Sequence, residues 1–424
     1  MEKYIARGYV SEIRNFGNLM FFILRDQYKK EQITFFKKDN PELFNKAKDI
    51  TKESVIVVTG TKKASDQAMN GYEIIPENLD ILSISDAPVP LDISGKIDSG
   101  FDARINYRYV DLRVPENLAI FKVRSKIVRA VTNFFDSKGF ININTPKIVS
   151  CGVESGSELF EIKYFDKVAY LSQSPQVYKQ MMIASGFNNV YEIGEVFRAE
   201  KSHTTRHLTE FTGIDMEMGY IKDPEEVYNV LEELMKYVLT EIKKECKQEL
   251  ELLKVEIKIP EKIPRIKMKD AKKLLAEKGK TIPAEEDLDS EGEKMLGDIV
   301  MEKFNSEFVF LTEFPFSKRP FYHMCEIDPE TKQKITKSAD LIWKGCEICT
   351  GAQREHRTSV LKEQIIEKGM SLEDMDYYIK MLSYGVPSHG GAGLGLDRIT
   401  QLMLNLTNVK EAVLLPRDPE RLTP

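Results

Sequence analysis

Five short runs rich in β-branched and aromatic residues, 4–13, 19–24, 32–36, 54–60 and 72–75, fill the first eighty positions and leave little room there for a long helix. Turn signals such as Asn15-Phe16-Gly17-Asn18 separate them. So many short strands at this spacing suit a small Greek-key barrel of the OB type. Such barrels commonly bind oligonucleotides, although a barrel that only caps another domain would show the same pattern. Residues 1–80 hold 13 Lys+Arg against 12 Asp+Glu, so this segment is near neutral and the remainder carries the net charge of −6. That balance excludes a generally basic protein but leaves room for a local basic face.

Ala87-Pro88-Val89-Pro90-Leu91 breaks the strand pattern and reads as a linker. For 424 residues the expected organisation is a barrel over 1–85, a linker or hinge over 86–112 and a larger domain over 113–424. Pro115 opens a helix in which Ile120, Val123, Ile127, Ala130 and Phe134 recur at helical spacing, with Gly139 at the C′ position. Residues 140–144 alternate like a strand and run into Thr145-Pro146. A second helix begins at Asp223-Pro224-Glu225-Glu226, with Asp223 as N-cap, Pro at N1 and a carboxylate at N3. Val227, Val230, Leu231, Leu234 and Val238 make its buried stripe. Residues 241–293, rich in Lys and Glu and poor in aromatics, read as a peripheral, solvated insertion.

Five cysteines (Cys151, Cys246, Cys325, Cys346, Cys349) in a chain of this length suggest a reducing compartment rather than a disulfide scaffold. The longest apolar run, 19–24, is far short of a membrane span, and Met1-Glu2-Lys3-Tyr4 carries no apolar signal region. The expectation is a soluble cytoplasmic protein with no membrane partner.

Three cofactor-like patterns fail on detail. Gly279-Lys280-Thr281 has the ending of a phosphate-binding loop, but Leu274 stands where the leading glycine belongs. Cys346-Glu347-Ile348-Cys349 has the spacing of half a zinc site, yet no second pair lies nearby and its flanks read as a buried strand. Gly390-Gly391-Ala392-Gly393-Leu394-Gly395 does not fit the dinucleotide fingerprint and requires another reason. The densest chemistry lies in residues 197–211, where two arginines, two histidines and two glutamates sit between strand-like segments 190–193 and 214–218. This describes a charged hairpin. An exposed hairpin of assorted charges is the plain alternative. However, Arg grips phosphate through a planar fork and Phe offers a face to a base, so the combination points to a nucleotide.

Phe197-Arg198-Ala199-Glu200 followed by Arg206-His207 resembles motif 2 of class II aminoacyl-tRNA synthetases. Gly391-Ala392-Gly393-Leu394-Gly395-Leu396-Asp397-Arg398 resembles motif 3, and the helix from Pro115 with Thr145-Pro146 resembles motif 1. No class I signature of the HIGH or KMSKS type is present. The barrel-like N-terminus points to subclass b. Within it, Gln173-Ser174-Pro175-Gln176-Val177-Tyr178-Lys179-Gln180 and the ending Leu415-Pro416-Arg417-Asp418-Pro419-Glu420-Arg421-Leu422-Thr423-Pro424 are similar to aspartyl-tRNA synthetases of archaeal and eukaryotic type. The resemblance spans essentially the whole chain.

It implies an α+β fold: an N-terminal OB-fold β-barrel that binds the anticodon, then a class II catalytic domain built on an antiparallel sheet flanked by helices. It also implies an activity, the activation of L-aspartate with ATP to aspartyl-adenylate and transfer to the 3′ end of tRNA(Asp). By the same resemblance Arg198 and Arg398 are the catalytic pair, Arg198 bridging the α-phosphate and the substrate carboxylate and Arg398 meeting the γ-phosphate. Arg206, His207 and Leu208 belong to the ATP site, with His207 on the phosphate tail. Phe211 and Arg398 would sandwich the adenine, Glu200 would lie near its amino edge, and Gly393 and Gly395 would let backbone approach the nucleotide. Asp340 and Glu347 match the Mg²⁺ carboxylates, Glu347 also touching ATP. Thr350 stands where a serine serving metal and aspartate is usual. Lys179 and Arg354 match the cations that read the β-carboxylate, and Asp215 and Glu154 match the groups for the α-ammonium, with Gln176 alongside. Asparagine would leave those cations poorly paired, at roughly 1.5–3 kcal/mol for each lost charged hydrogen bond. In the barrel, Phe21 and Gln32 match positions that stack on and hydrogen-bond to anticodon bases, with Arg14 nearby. Thr145-Pro146 matches a subunit interface and implies a homodimer.

Two other readings stand beside this one. Asparaginyl-tRNA synthetases are similar but typically lack the lysine at Lys179 and carry glutamate at Asp215. A non-catalytic RNA-binding paralogue would be expected to lose Arg198, Glu347, Arg354 or Arg398, and all four are present. Strict aspartyl forms carry a bulky Trp in the first barrel strand where Ser11 stands here, which raises charging of tRNA(Asn) as well. Ser155, Ser388, Cys349-Thr350 and Asp397 depart from the usual residues and bear on fine geometry more than on activity.

Overall fold

The computed structural model describes residues 3–94, 97, 99–152, 159–201 and 204–423. The chain divides into two compact units, Met1–Leu118 with Thr423–Pro424, and Ala119–Leu422.

In the first unit β1 (Tyr4–Asn15), β2 (Leu19–Asp26), β3 (Lys29–Phe36), β4 (Val55–Ala64) and β5 (Tyr72–Ser83) close into a barrel of order β1-β2-β3-β5-β4. All five expected strands are there. Most run past their apolar cores, because the ladder continues through polar residues such as Lys29 and Lys30. Period-two alternation sends Met20, Phe22, Leu24, Ile33 and Phe35 inward and leaves Phe21 and Gln32 on the outer face. Helix α1 (Pro41–Lys48), not anticipated above, starts at Asn40, whose Oδ1 accepts from the Leu43 amide at 2.9 Å, with Pro41 in the first turn. Its Leu43, Phe44 and Ala47 complete the barrel core.

The segment expected as a linker is partly helical: α2 (Phe101–Asn106) and α3 (Arg108–Asp111) lie within it. The prolines punctuate only residues 87–91. Beyond them buried Asp111 accepts from Arg104 and Arg108, and these pairs fold the chain. A second buried set holds the barrel. Glu53 Oε2 accepts from Arg25 at 2.9 Å and from Arg113 at 3.0 Å.

The second unit begins within α4 (Pro115–Ser137) and continues through β6 (Ile141–Asn142), β7 (Ile148–Val149), β8 (Glu161–Tyr164), β9 (Lys167–Leu171) and α5 (Gln176–Ala184). Next come β10 (Asn189–Phe197), β11 (Glu210–Gly219), α6 (Glu225–Glu245), α7 (Lys247–Leu253), β12 (Arg265–Lys267), α8 (Met268–Glu277) and α9 (Ser290–Phe304). The chain then runs through β13 (Phe308–Thr312), β14 (Cys325–Ile327), β15 (Lys334–Thr336), β16 (Ser338–Trp343) and β17 (Cys346–Gln353). It closes with α10 (Thr358–Glu367), α11 (Asp376–Ser383), β18 (His389–Gly395) and α12 (Leu396–Met403). Eight strands form one sheet of order β12-β13-β16-β17-β18-β11-β10-β6. The six central strands are antiparallel, as expected, while the edge pairs β12/β13 and β10/β6 are parallel.

α4 and α6 cover one face of this sheet. Their stripes, Ile120, Val123, Ile127, Ala130 and Phe134 from one and Val227, Leu231, Leu234 and Val238 from the other, pack on Ile214, Met216, Ala392 and Leu394. Gly139, at φ +75°, turns the chain out of α4. α6 starts one residue later than its sequence signal, with Asp223 Oδ1 accepting from the Glu225 amide. The expected strand 140–144 shrinks to the two residues of β6.

The charged stretch 241–293 is not merely a solvated appendage. Ile266, Met268, Ala271 and Leu275 pack with Leu296, Val309, Leu311 and Ile342 in a core of their own, and β12 joins the sheet edge. The abundant Lys and Glu lie on the outer helix faces and hide the apolar stripe inside.

Glu53 is the keystone of the first unit, since its removal strands two arginines, one of them buried. Glu53→Ala is expected to lower the amide-exchange protection of β1–β5 by about 3–5 kcal/mol. Glu77→Ala, which removes only the exposed Lys3–Glu77 pair, is expected to change it by less than about 1 kcal/mol.

Candidate active site

β18 explains the glycine run that fits no nucleotide fingerprint. Alternation turns Ala392 and Leu394 into the helix-covered core and leaves Gly391, Gly393 and Gly395 on the opposite face. Gly391 lies opposite Glu217 in β11 and Gly393 opposite Asp215, with Thr350 of β17 on Gly393's other side. A Cβ on Gly391 would collide with the Met216 carbonyl and the Glu217 carboxylate, and one on Gly393 would lie 3.1 Å from Asp215 Oδ1. The bare backbone is the floor on which the charged side chains of the flanking strands rest.

Over that floor sits a buried ionic cluster. Lys179 of α5, 2% exposed, donates to Asp215 Oδ1 at 2.9 Å and to the Ala392 carbonyl at 3.0 Å. Arg354 donates from Nε and Nη2 to the two oxygens of Glu217, at 2.9 and 3.2 Å. Glu217 also lies 3.6 Å from Lys179. Burial pushes Asp215 above the ordinary carboxylate range, only partly offset by Lys179. Burial would do the same to Glu217, but Arg354 and Lys179 more than reverse it and hold this carboxyl low. Gln176 is also buried here and, among the described residues, its Nε2 meets no hydrogen-bond partner.

In front of the cluster the β10–β11 hairpin opens a pocket lined by Arg198, Glu200, Arg206, His207, Leu208 and Phe211. Asp215, Glu347, Gly393, Gly395 and Arg398 complete its wall. The guanidinium above the Phe211 ring is that of Arg198, at 5.4 Å, rather than that of Arg398. Arg398 instead donates to the Glu347 carbonyl at 2.9 Å. Glu200 lies 3.7 Å from Arg198 and 3.5 Å from His207. Burial lowers the His207 pKa, opposed by Glu200 and reinforced by Arg398. The α12 residue before Arg398 anchors it. Asp397 accepts from Arg124 of α4 at 2.7 Å and from the Thr212 amide at 2.9 Å.

At the pocket's far edge Thr350 Oγ1 bonds both Asp340 Oδ1 (2.8 Å) and Glu347 Oε1 (3.1 Å). Among the described residues no three His, Cys, Asp or Glu gather to hold a metal. Two carboxylates and a hydroxyl nevertheless fit Mg²⁺, which commonly takes one or two protein carboxylates and completes its shell from phosphates and water. Arg319 is bidentate on Asp340, one bond at 3.0 Å, which leaves Glu347 as the carboxylate of this set on the pocket wall.

The structure thus gathers the expected residues into two adjoining groups, an open pocket and a buried cluster that meet at Asp215. Gln176, Lys179, Thr350 and Arg354 lie behind the pocket wall. Glu154 and Ser155 fall outside the described residues. Arg14, Phe21 and Gln32 share the barrel's outer face. Phe21 pairs in register with Arg14 and stacks edge-on with Phe16 at 6.0 Å, Arg14 bonds Glu12, and Gln32 reaches Glu73 at 3.5 Å. Sequence reasoning missed Glu217, Arg124, Arg319 and Glu293. Glu217 was visible as the second polar residue in the alternation Ile214-Asp215-Met216-Glu217-Met218. The other three have no local signal.

Comparison with known proteins gives a consistent neighbourhood. Residues 101–419 match the family described as tRNA synthetases class II (D, K and N), and residues 4–82 match the OB-fold nucleic acid binding domain. The chain is 43% identical to the aspartate–tRNA(Asp) ligase of Pyrococcus abyssi, with 100% of this chain and 96% of the relative covered. It is 44% identical, at the same coverage, to the aspartate–tRNA(Asp/Asn) ligase of Methanopyrus kandleri. Among solved structures, asparaginyl-tRNA synthetase from Pyrococcus horikoshii complexed with asparaginyl-adenylate superposes with a TM-score of 0.90 at 32% identity, covering 100% of this chain and 96% of that one.

Two buried histidines near the cluster are held neutral. His389 Nδ1 lies 2.9 Å from the Pro387 carbonyl and its Nε2 3.1 Å from Gln180 Nε2, whose amide oxygen accepts from Tyr378, a chain that closes with one ring proton. Burial depresses both His389 and His323, with Arg354 adding to the effect. Below about pH 6.5 the unfolded chain binds protons that the native state refuses. Stability is therefore expected to fall as pH drops below about 6.5, by at most about 1.4 kcal/mol per unit for each histidine. Urea unfolding from neutral pH downward measures the loss, and the Cε1–H resonances of both residues are expected to titrate at lower pH than that of an exposed histidine.

Proposed function

The chain belongs to the class II tRNA synthetases (D, K and N) with an OB-fold nucleic acid binding domain, and we propose how its residues divide the work of joining aspartate to tRNA. Its activity is that of an aspartate–tRNA ligase. In the first step an oxygen of the aspartate α-carboxylate attacks the α-phosphorus of ATP. The bond to pyrophosphate breaks, and aspartyl-adenylate forms. In the second a ribose hydroxyl at the 3′ end of tRNA attacks the activated carbonyl, an ester forms, and AMP leaves. The nucleophiles belong to the substrates, so the protein's part is alignment and charge neutralisation.

Arg198 bridges the α-phosphate and the substrate carboxylate, while Arg398, Arg206 and His207 hold the phosphate tail. Phe211 takes one face of adenine once the Arg198 guanidinium, 5.4 Å from its ring, turns to the α-phosphate, and Arg398 takes the other, with Glu200 at the amino edge and Leu208 and Gly395 completing the site. Mg²⁺ would be held by Glu347 and Thr350, with Asp340 behind them, and would supply charge neutralisation at the phosphates.

The observation that carries the choice of aspartate is the half-spent state of the buried cations. Among the described residues, Asp215 and Ala392 take two of the three ammonium protons of Lys179, and Glu217 takes two of the five N–H groups of Arg354. What remains suits a second, incoming carboxylate. Asp215, with Glu154 and Gln176, receives the α-ammonium. Neutral asparagine would leave a buried cation unpaired.

The barrel, taken as residues 1–85, reads the anticodon through Arg14, Phe21 and Gln32. Residues 86–112 connect it to a catalytic domain over 113–424. The tRNA scope includes tRNA(Asn) as well as tRNA(Asp). Ser11 is the extra residue of a bulge in β1, with its hydroxyl on the Ile23 carbonyl, and the chain's one tryptophan, Trp343, lies in the other unit. The enzyme works as a homodimer in the cytoplasm. Ile141 and Ile148, on either side of Thr145-Pro146, are 50% and 48% exposed and supply an apolar contact face. The five cysteines are free thiols, and among the described residues no helix is long and apolar enough to cross a membrane.

ATP–pyrophosphate exchange with Mg²⁺ tests the amino-acid assignment. Exchange is expected with aspartate and not with asparagine or lysine, and exchange with asparagine alone would overturn the pocket. Lys179→Gln is expected to lower kcat/KM for aspartate about ten- to a hundredfold. For the RNA, aspartylation is expected with both tRNA(Asp) and tRNA(Asn), and charging confined to tRNA(Asp) would refute the wider scope.

A further inference from the structure

The charged stretch 241–293 ends at the rim of the ATP pocket. Asp289 caps α9, its Oδ1 accepting from the Gly292 amide at 2.7 Å. In the first turn of that helix, Glu293 Oε2 accepts from Arg206 Nη1 at 3.1 Å, and the other terminal nitrogen of Arg206 donates to the Gly345 carbonyl at 3.4 Å. We infer that Glu293 is a positioning residue for ATP binding: a carboxylate supplied by the insertion holds the Arg206 guanidinium in place against the pocket.

Two independent features support this. The first is where α9 sits. A Cβ on Gly297 would lie 2.7 Å from the Gly345 amide nitrogen, and one on Gly345 would lie 2.6 Å from Lys294 Cα. Helix and turn therefore touch backbone to backbone, and the crossing leaves α9 little freedom to slide. Gly345 has φ +69°, so the same turn favours glycine twice over, for its conformation and for the approach. The second is closure of the contacts. Two residues beyond Gly345, the Glu347 carbonyl accepts from Arg398, and Arg398 Nε reaches the Arg206 carbonyl at 3.5 Å. Glu293, Arg206, Arg398 and the turn 345–347 form a ring around one side of the pocket.

The physical argument is preorganisation. Arginine has a long, rotamer-rich side chain, and its planar guanidinium can give one edge to a carboxylate while keeping other N–H groups for an anion. An arginine ordered beforehand loses less freedom when phosphate arrives. This inference rests on the assignment of Arg206 to the ATP site.

The test uses the full-length protein in aspartate-dependent ATP–pyrophosphate exchange, titrating ATP and aspartate separately. Glu293→Gln is expected to raise KM for ATP about fivefold and leave KM for aspartate unchanged. Glu293→Asp is expected to recover part of the loss, and Glu291→Gln, on the same turn but paired with Lys280, to behave as the parent. Arg206→Gln is expected to raise KM for ATP at least as much, and the double variant no further. If Arg206→Gln is impaired and Glu293→Gln is not, the positioning role is wrong while the ATP-site assignment stands. If Arg206→Gln matches the parent, that assignment fails and the inference with it. A lower KM for ATP in Glu293→Gln would mean that Glu293 competes with phosphate. A parallel rise in both KM values with a lower Tm would make its role structural only.

Discussion

Lys179, Asp215, Glu217 and Arg354 place two positive and two negative charges on the face of the sheet away from α4 and α6, all nearly sealed from water. Moving such ions out of water costs several kcal/mol apiece even after relaxation, so each is tolerable only beside its partner. Much of the surrounding structure follows from that requirement. β18 is glycine where the carboxylates need the space, and the Ala392 carbonyl is available to Lys179. The polar neighbours Gln180, Tyr378 and His389 bond one another without adding a charge. Among the described residues the cluster is balanced yet not exhausted, since both cations keep donors for a further anion.

The pocket in front of it depends on elements that are distant in sequence. Arg398 reaches its position because Asp397 is tied to Arg124 in α4 and to the Thr212 amide in β11. Arg206 is tied in turn to Glu293 in the first turn of α9, 87 residues later. A pocket built this way draws its cations from one hairpin and one helix start and their orientation from elsewhere in the sheet.

The barrel and the hairpin strands β10 and β11 are legible in the sequence because period-two alternation is a local property, whereas the antiparallel sheet around them is expected from the family resemblance alone. The five runs of the barrel, the charged hairpin 197–211 and the stripes of α4 and α6 all stand where their patterns put them. The helices α2 and α3 within 86–112 have no comparable signal in the sequence, since the pairs of Asp111 with Arg104 and Arg108 hold them. The stretch 241–293 was misread for a related reason. High charge density masked an apolar stripe that has meaning only against Val309, Leu311 and Ile342.

The site divides along the same line. Residue types and order along the chain single out the hairpin arginines, Phe211, Glu347, Lys179, Arg354 and the glycine run as candidates, because phosphate, base and carboxylate each demand particular side-chain chemistry. Only the tertiary structure decided which charges are partners: that Lys179 is held by Asp215, Arg354 by Glu217, Asp340 by Arg319 and Arg206 by Glu293. Those pairings join segments up to about 140 residues apart. No periodicity records them, because an ion pair is set by the register of strands and the packing of helices rather than by spacing along the chain.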